Sequence, residues 1–168
     1  MNNTVLINSA RFILFALLQI VLFNQIHVLG YATPFPYILF ILIYPLHSNK
    51  KLLLILSFLL GIILDIFNNS GGIHTTACLF LAYFRDSFLK ISYGVSYEYH
   101  MIKITDKFSK ELITYILLSV LFHHLIFYSL EIFNVQYALD VLIKTLASTV
   151  ITSIFSFILF AFLKPNRS

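Results

Sequence analysis

The chain has one cysteine, Cys78, among 168 residues, which excludes an intramolecular disulfide, and none of its Cys/His spacing is that of a zinc site. Charge is scarce too. Charged residues make up 11% of the chain, against roughly a quarter in a soluble domain, so an ordinary water-soluble fold is excluded. No nucleophile stands in register with a base, no glycine loop suits phosphate, and no two carboxylates are placed for acid–base work, so neither an enzyme nor a cofactor site is expected. The opening residues, MNNTVLINSAR, lack a basic leader region and no small-residue cleavage site follows, so the first apolar run is expected to remain a permanent span.

What the chain does have is apolar length: 60% of it is hydrophobic, and its mean hydropathy is +0.91. A bilayer core about 30 Å thick takes roughly 20 helical residues. On that ruler spans fall near 12–29, 52–67, 73–91, 112–133 and 138–163, with a short one at 35–46. The runs are continuous rather than alternating, and lipid cannot satisfy an open sheet edge, so strands are excluded. The expected fold class is an all-α integral membrane protein, one polytopic domain over 1–168 forming a compact bundle of about six transmembrane helices.

The segment TPFPYILFILIYPL decides the count. Pro34, Pro36 and Pro45 bracket an apolar run that covers only about 18 Å at 1.5 Å per residue. If it crosses, Arg11, Lys50, Lys51, Lys103, Lys107, Lys110, Lys164 and Arg167 share one side, and loops 30–34, 68–72 and 134–137 hold no Lys or Arg. The positive-inside bias then places both termini in the cytoplasm. If the segment is re-entrant, five spans with an external N-terminus strand only Arg11. The net charge of +4 is read through this loop distribution, with nucleic acid not expected as a partner.

The few polar residues inside the spans carry the functional question. Ser57, Gly61 and Asp65 are four apart and lie on one helix face, where the small residues admit a neighbouring backbone. Asp65 is open to two readings, a cap for the following helix and its loop amides, or a site for a substrate or proton. In 73–91, Thr75, Cys78, Ala82, Arg85 and Asp86 share a face expected to look into protein. Ala77, Phe80, Leu81, Phe84 and Phe88 lie opposite, toward lipid. Arg85 is expected to extend to the inner interface and Asp86 to pair with Lys90.

In the last span Thr145, Ser148, Thr149, Thr152, Ser153 and Ser156 fall in a wedge of about 140°. That wedge suits internal packing or a docking face for a partner's transmembrane helix. Lys144 is expected at the outer interface or paired with Asp140. His123 and His124 point about 100° apart, which favours separate hydrogen bonds across helices over one metal or relay site. Gln19, Asn24, Gln25 and His27 read as polar contacts in the bundle or near its outer end. In loop 92–111, Tyr93, Tyr97 and Tyr99 suit the headgroup layer. Met101, Ile104 and Phe108 recur at helical spacing away from Lys103, Lys107 and Lys110, an interfacial segment attracted to anionic membrane lipids. Ser109 is placed to cap the next span.

Two stretches, RFILFALLQIVLFNQIHVLG with PFPYILFILIYPL, and LSFLLGIILDIFNNSGGIHTTACLFLAYFRD, resemble the bacterial rod shape-determining protein MreD family over nearly the whole chain. The resemblance rests on the proline-bracketed second segment, Gly61 and Asp65 four apart, then Gly71, Gly72 and His74, then LAYF. It implies a non-enzymatic scaffold in the cell-wall elongation machinery of the cytoplasmic membrane. The partners implied are a bitopic MreC-like protein and, indirectly, MreB, RodA and a penicillin-binding transpeptidase, and no catalytic residues are implied. The family is also similar in architecture to the six-helix substrate-binding subunits of vitamin transporters. That keeps a second class open, a binding subunit for a small solute or lipid intermediate with Asp65, Arg85 and Asp86 lining a pocket.

Overall fold

The structure is a computed structural model and describes residues 3–26, 28, 32–46, 48–94 and 109–163. His27, most of the expected interfacial segment (Tyr97 through Phe108) and the tail with Lys164 and Arg167 lie outside the described residues. Among the described residues the chain forms six helices, α1 (Asn3–Val21), α2 (Ile38–Ile43), α3 (Lys50–Asn68), α4 (Ile73–Tyr93), α5 (Lys110–Ile132) and α6 (Ala138–Leu163). Short 3₁₀ turns stand at Phe23–Gln25 and Val135–Tyr137. A backbone bridge joins Val28 and Ala32.

Among the described residues four segments are long and apolar enough to cross a membrane: Val5–Gln25, Lys50–Asn68, Lys110–Ile132 and Val135–Phe162. The 21 residues of α4 match them in length, but Arg85, Asp86 and Lys90 lower its hydropathy. The chain is therefore an all-helical protein of membrane type. Its outward surface agrees, because Leu17, Ile55, Leu59, Leu146, Val150 and Ile154 are all exposed, which water would not tolerate in such density.

Helix ends follow local chemistry. Asn49 accepts from the Lys51 amide at 2.9 Å to start α3, and Ser109 accepts from the Leu112 amide at 3.2 Å to start α5, as its position predicts. Asn69, in the left-handed region at φ 52°, ends α3.

Helices α3 to α6 pack each against the next, and α1 lies on α3. Phe23, just past α1, meets Phe155 of α6 with ring centroids 5.1 Å apart and closes the circle. Five long helices thus surround α2. Ile38, Leu39, Ile41 and Leu42 are 0% exposed, so α2 touches protein on every side and its apolar run never meets lipid. Phe35 lies against His74 in the first turn of α4, while Tyr44 lies at Arg85, eleven residues farther along the same helix. The buried segment therefore runs beside α4 through most of the bundle, in the same direction.

Candidate functional site

The sharpest geometry lies where α3 turns into α4. Gly72, the residue before α4, has no side chain to cap it. Asp65, in the last turn of α3, does so instead. Its carboxylate accepts the His74 and Thr75 amides at 2.9 Å each, the Thr75 hydroxyl at 2.5 Å and the Ser70 hydroxyl at 2.5 Å. A negative group at a helix N-terminus is favoured by the helix dipole as well as by these bonds. Of the two readings of Asp65, the structure displays the cap. Gly71 and Gly72, at φ 63° and 99°, let the chain turn tightly enough to bring the α4 amides onto it. One turn earlier on α3, Gly61 faces Thr75 so closely that a Cβ there would lie 2.3 Å from the Thr75 Cα. The small-residue ridge is thus a backbone contact.

His74 leads from this junction into the core. Its Nδ1 lies 2.9 Å from the Tyr37 hydroxyl, which lies 3.0 Å from His123 Nε2. His124, the neighbour of His123, uses different partners, as the 100° offset predicts. Its Nδ1 is 2.8 Å from the Val120 carbonyl, which can only accept, so Nδ1 carries the proton and Nε2 accepts from Thr152 at 3.1 Å. Thr152 Oγ1 in turn accepts the Phe35 amide at 3.0 Å. Four elements are joined through polar groups buried in hydrocarbon surroundings, where leaving any of them unpaired is costly.

Arg85 corrects an expectation. Rather than reaching for the interface, it is 3% exposed and its guanidinium turns inward to the end of α2. It donates to the Tyr44 carbonyl, to the Leu42 carbonyl at 3.2 Å and, through Nε, to the Tyr115 hydroxyl at 3.2 Å. A helix held among other helices has terminal carbonyls that water cannot reach, and a fork of donors satisfies several at once. Asp86 pairs with Lys50 of α3 at 2.9 Å rather than with Lys90. Lys144 approaches Glu131 at 3.6 Å rather than Asp140. In both cases a neighbouring helix offers a partner nearer than the same helix does.

The lipid-facing assignment on α4 also needs correction. Ala77, Leu81 and Phe88 are buried, and only Phe80 and Phe84 of that expected face are exposed. Helix α4 sits between α3 and α5, so a wide arc of it is covered. The hydroxyl wedge of α6 is turned inward as well. Ser148, Thr152 and Ser156 are each 0% exposed, which corrects the docking-face alternative: no partner helix can reach them in this arrangement. Ser148 bonds the Tyr128 hydroxyl at 2.6 Å. Gln19 donates to Asn24 at 2.9 Å and to the Pro34 carbonyl at 3.2 Å, a polar contact of the kind expected for the end of α1.

Sequence patterning does not single out Tyr37, although it stands at the centre of this network. Its one signal is a hydroxyl in an apolar stretch, which must find a partner once buried. Beside it a pocket of about 330 Å³ opens near the α3–α4 turn, with Phe127 and Tyr128 among its walls and Asn68, Ser70, Glu131 and Lys144 around it. Of the residues expected to form a site, only His74 lines this pocket. Asp65, Arg85 and Asp86 do not meet in one place. No group of three or more His, Cys, Asp or Glu placed to hold a metal occurs among the described residues. No family model matches the chain, and no curated protein or solved structure matches it significantly.

Proposed function

We propose that the chain is a membrane scaffold of the MreD type, a non-enzymatic subunit of the cell-wall elongation complex that holds an MreC-like bitopic partner. Through that partner it links MreB filaments to peptidoglycan synthesis by RodA and a penicillin-binding transpeptidase. One observation carries the reading: the scattered residues of the resemblance meet at a single joint. Gly61 lies on Thr75, Asp65 caps α4, Gly71 and Gly72 make the turn, and His74 reaches Tyr37 of the proline-bracketed segment. Residues that recur together for a structural reason should converge in space, and these do.

The reading includes six crossings. The buried segment runs through most of the bundle beside α4, which supports counting it as a pass and keeping the chain ends at one side. Lys50, Lys51 and Lys110 stand at that side, supporting a cytoplasmic location for both termini in the inner membrane. Asp65, Arg85, Asp86, Ser148 and Thr152 are engaged in joining helices to one another, so partners would be met by the outer helix faces, not by the polar interior. The pocket-forming role considered for Asp65, Arg85 and Asp86 in a binding subunit has no support in their contacts.

The test is recovery from the source cell's membranes. A tagged full-length chain should bring down a protein with one transmembrane helix and a coiled-coil periplasmic region, and its depletion should round the cells. Recovery of a transporter ATPase in its place, with cell shape unchanged, would overturn the proposal.

A further inference from the structure

The pocket near the α3–α4 turn holds an ion pair that is only loosely made. Lys144 Nζ and Glu131 Oε2 are 3.6 Å apart, well beyond the about 2.7–2.9 Å of a charge-assisted hydrogen bond. Both side chains are partly exposed, at 33% and 41%, and both line the same cavity. An ammonium has three donors and a carboxylate about four lone-pair sites, so each retains most of its capacity. The lining carries one cation and one carboxylate. A ligand of single charge would leave one of them opposed, whereas a ligand bearing both charges could answer each.

We infer that this pocket binds a compact zwitterion, a phosphoethanolamine group presented either as a lipid headgroup or as a free molecule. Its ammonium goes to Glu131, near the aromatic faces of Phe127 and Tyr128, where a cation is favoured. Its phosphate goes to Lys144, while Asn68 and Ser70, whose donors are held by Leu64 and Asp65, form part of the wall. The ring of Tyr128 already has the Lys144 ammonium 5.8 Å from its centroid, so this wall accommodates a positive group. The pocket lies at the level where α3 and α5 end and α4 and α6 begin, the depth of phospholipid headgroups rather than of acyl chains. Its volume stands at the low end of the about 300–1,000 Å³ usual for ligand sites, which suits a headgroup and excludes a large solute. The site stands apart from the scaffold reading, because no partner helix takes part in it.

The test uses the full-length chain in detergent, with free phosphoethanolamine, a short-chain phosphatidylethanolamine and the matching phosphatidylglycerol as probes, read by the thermal unfolding midpoint. Phosphatidylethanolamine is expected to raise the midpoint with concentration and phosphatidylglycerol to leave it unchanged. An equal shift from the free headgroup identifies a soluble ligand as the source, and a shift from the lipid alone identifies a lipid headgroup; either supports the site. Lys144→Gln and Glu131→Gln should each weaken the response at least tenfold without altering recovery of the MreC-like partner. The inference fails if phosphatidylglycerol acts equally, if neither phosphoethanolamine probe shifts the midpoint, or if both variants respond as the parent does.

Discussion

Gly61 and Thr75 bring the backbones of α3 and α4 into direct contact, since a methyl group at 61 would sit 2.3 Å from the Thr75 Cα. Backbone cannot step aside as a flexible side chain can. Gly61→Ala should therefore force the two helices apart at the joint and cost about 1–3 kcal/mol, as overpacked cores do. Reversible unfolding of the purified chain reads this directly. A variant as stable as the parent would mean that α3 and α4 can separate here without penalty.

Asp65→Asn removes the charge and replaces one acceptor oxygen with an NH₂ group that faces donors. The His74 and Thr75 amides and the Ser70 and Thr75 hydroxyls then compete for a single oxygen. Each buried donor left unpaired costs about 1–3 kcal/mol, so the loss should exceed that of an ordinary surface cap. The expected outcome is a fall in unfolding midpoint with zwitterion binding preserved, because Asp65 is committed to the helix end. Loss of binding in a variant of unchanged stability would restore the substrate-site reading.

How far the sequence reveals this arrangement depends on whether a contact is local. The cap at Ser109, the close approach at Gly61 and the separate partners of His123 and His124 follow from spacing along one helix or across one turn. Arg85, Asp86 and Lys144 depart from expectation because their partners, the end of α2, Lys50 and Glu131, come from other helices. Helical periodicity gives a direction for a side chain but not the identity of the neighbour that stands there. The same limit explains α4: an amphipathic stripe marks one buried face, yet a helix with packed neighbours on both sides buries two. For the site, His74 enters through the family resemblance alone. Tyr37 and the Glu131–Lys144 pair depend on how the bundle closes.

Arg85→Met takes the guanidinium from the Tyr44 carbonyl and leaves the Leu42 carbonyl with the Tyr115 hydroxyl alone, in a place sealed from water. Arg85→Lys keeps the charge but offers a point donor where a planar fork now spans two carbonyls and a phenol. Both should destabilise, Met by about 2–5 kcal/mol, the scale on which breaking a buried charged interaction acts. Lys should lose less. Equal stability of the Met variant and the parent would show that water reaches the end of α2.

Thr152→Val keeps the shape of the side chain and deletes only the hydroxyl. Two groups lose their partner at once, the Phe35 amide and His124 Nε2. A loss of about 1–3 kcal/mol is expected, and it should appear in the isolated chain. That result separates interior packing from docking. If Thr152 served a partner helix, the isolated variant would unfold like the parent and only the complex would suffer.

The proposed membrane sidedness can be measured with one reagent. Cys78 is 0% exposed, so the native thiol gives no background in the folded protein. Gln136 is exposed in the turn between α5 and α6, and Glu111 is exposed in the first turn of α5, at the other end of the bundle. In intact cells a membrane-impermeant maleimide should label Gln136→Cys at once and Glu111→Cys only after permeabilisation. The result depends on the basic side of the bundle lying in the cytoplasm, where Lys and Arg are retained. The opposite pattern would invert the orientation and move the zwitterion pocket to the inner leaflet. Labelling of both sites before permeabilisation, with the membrane shown intact, would mean that α5 does not cross at all.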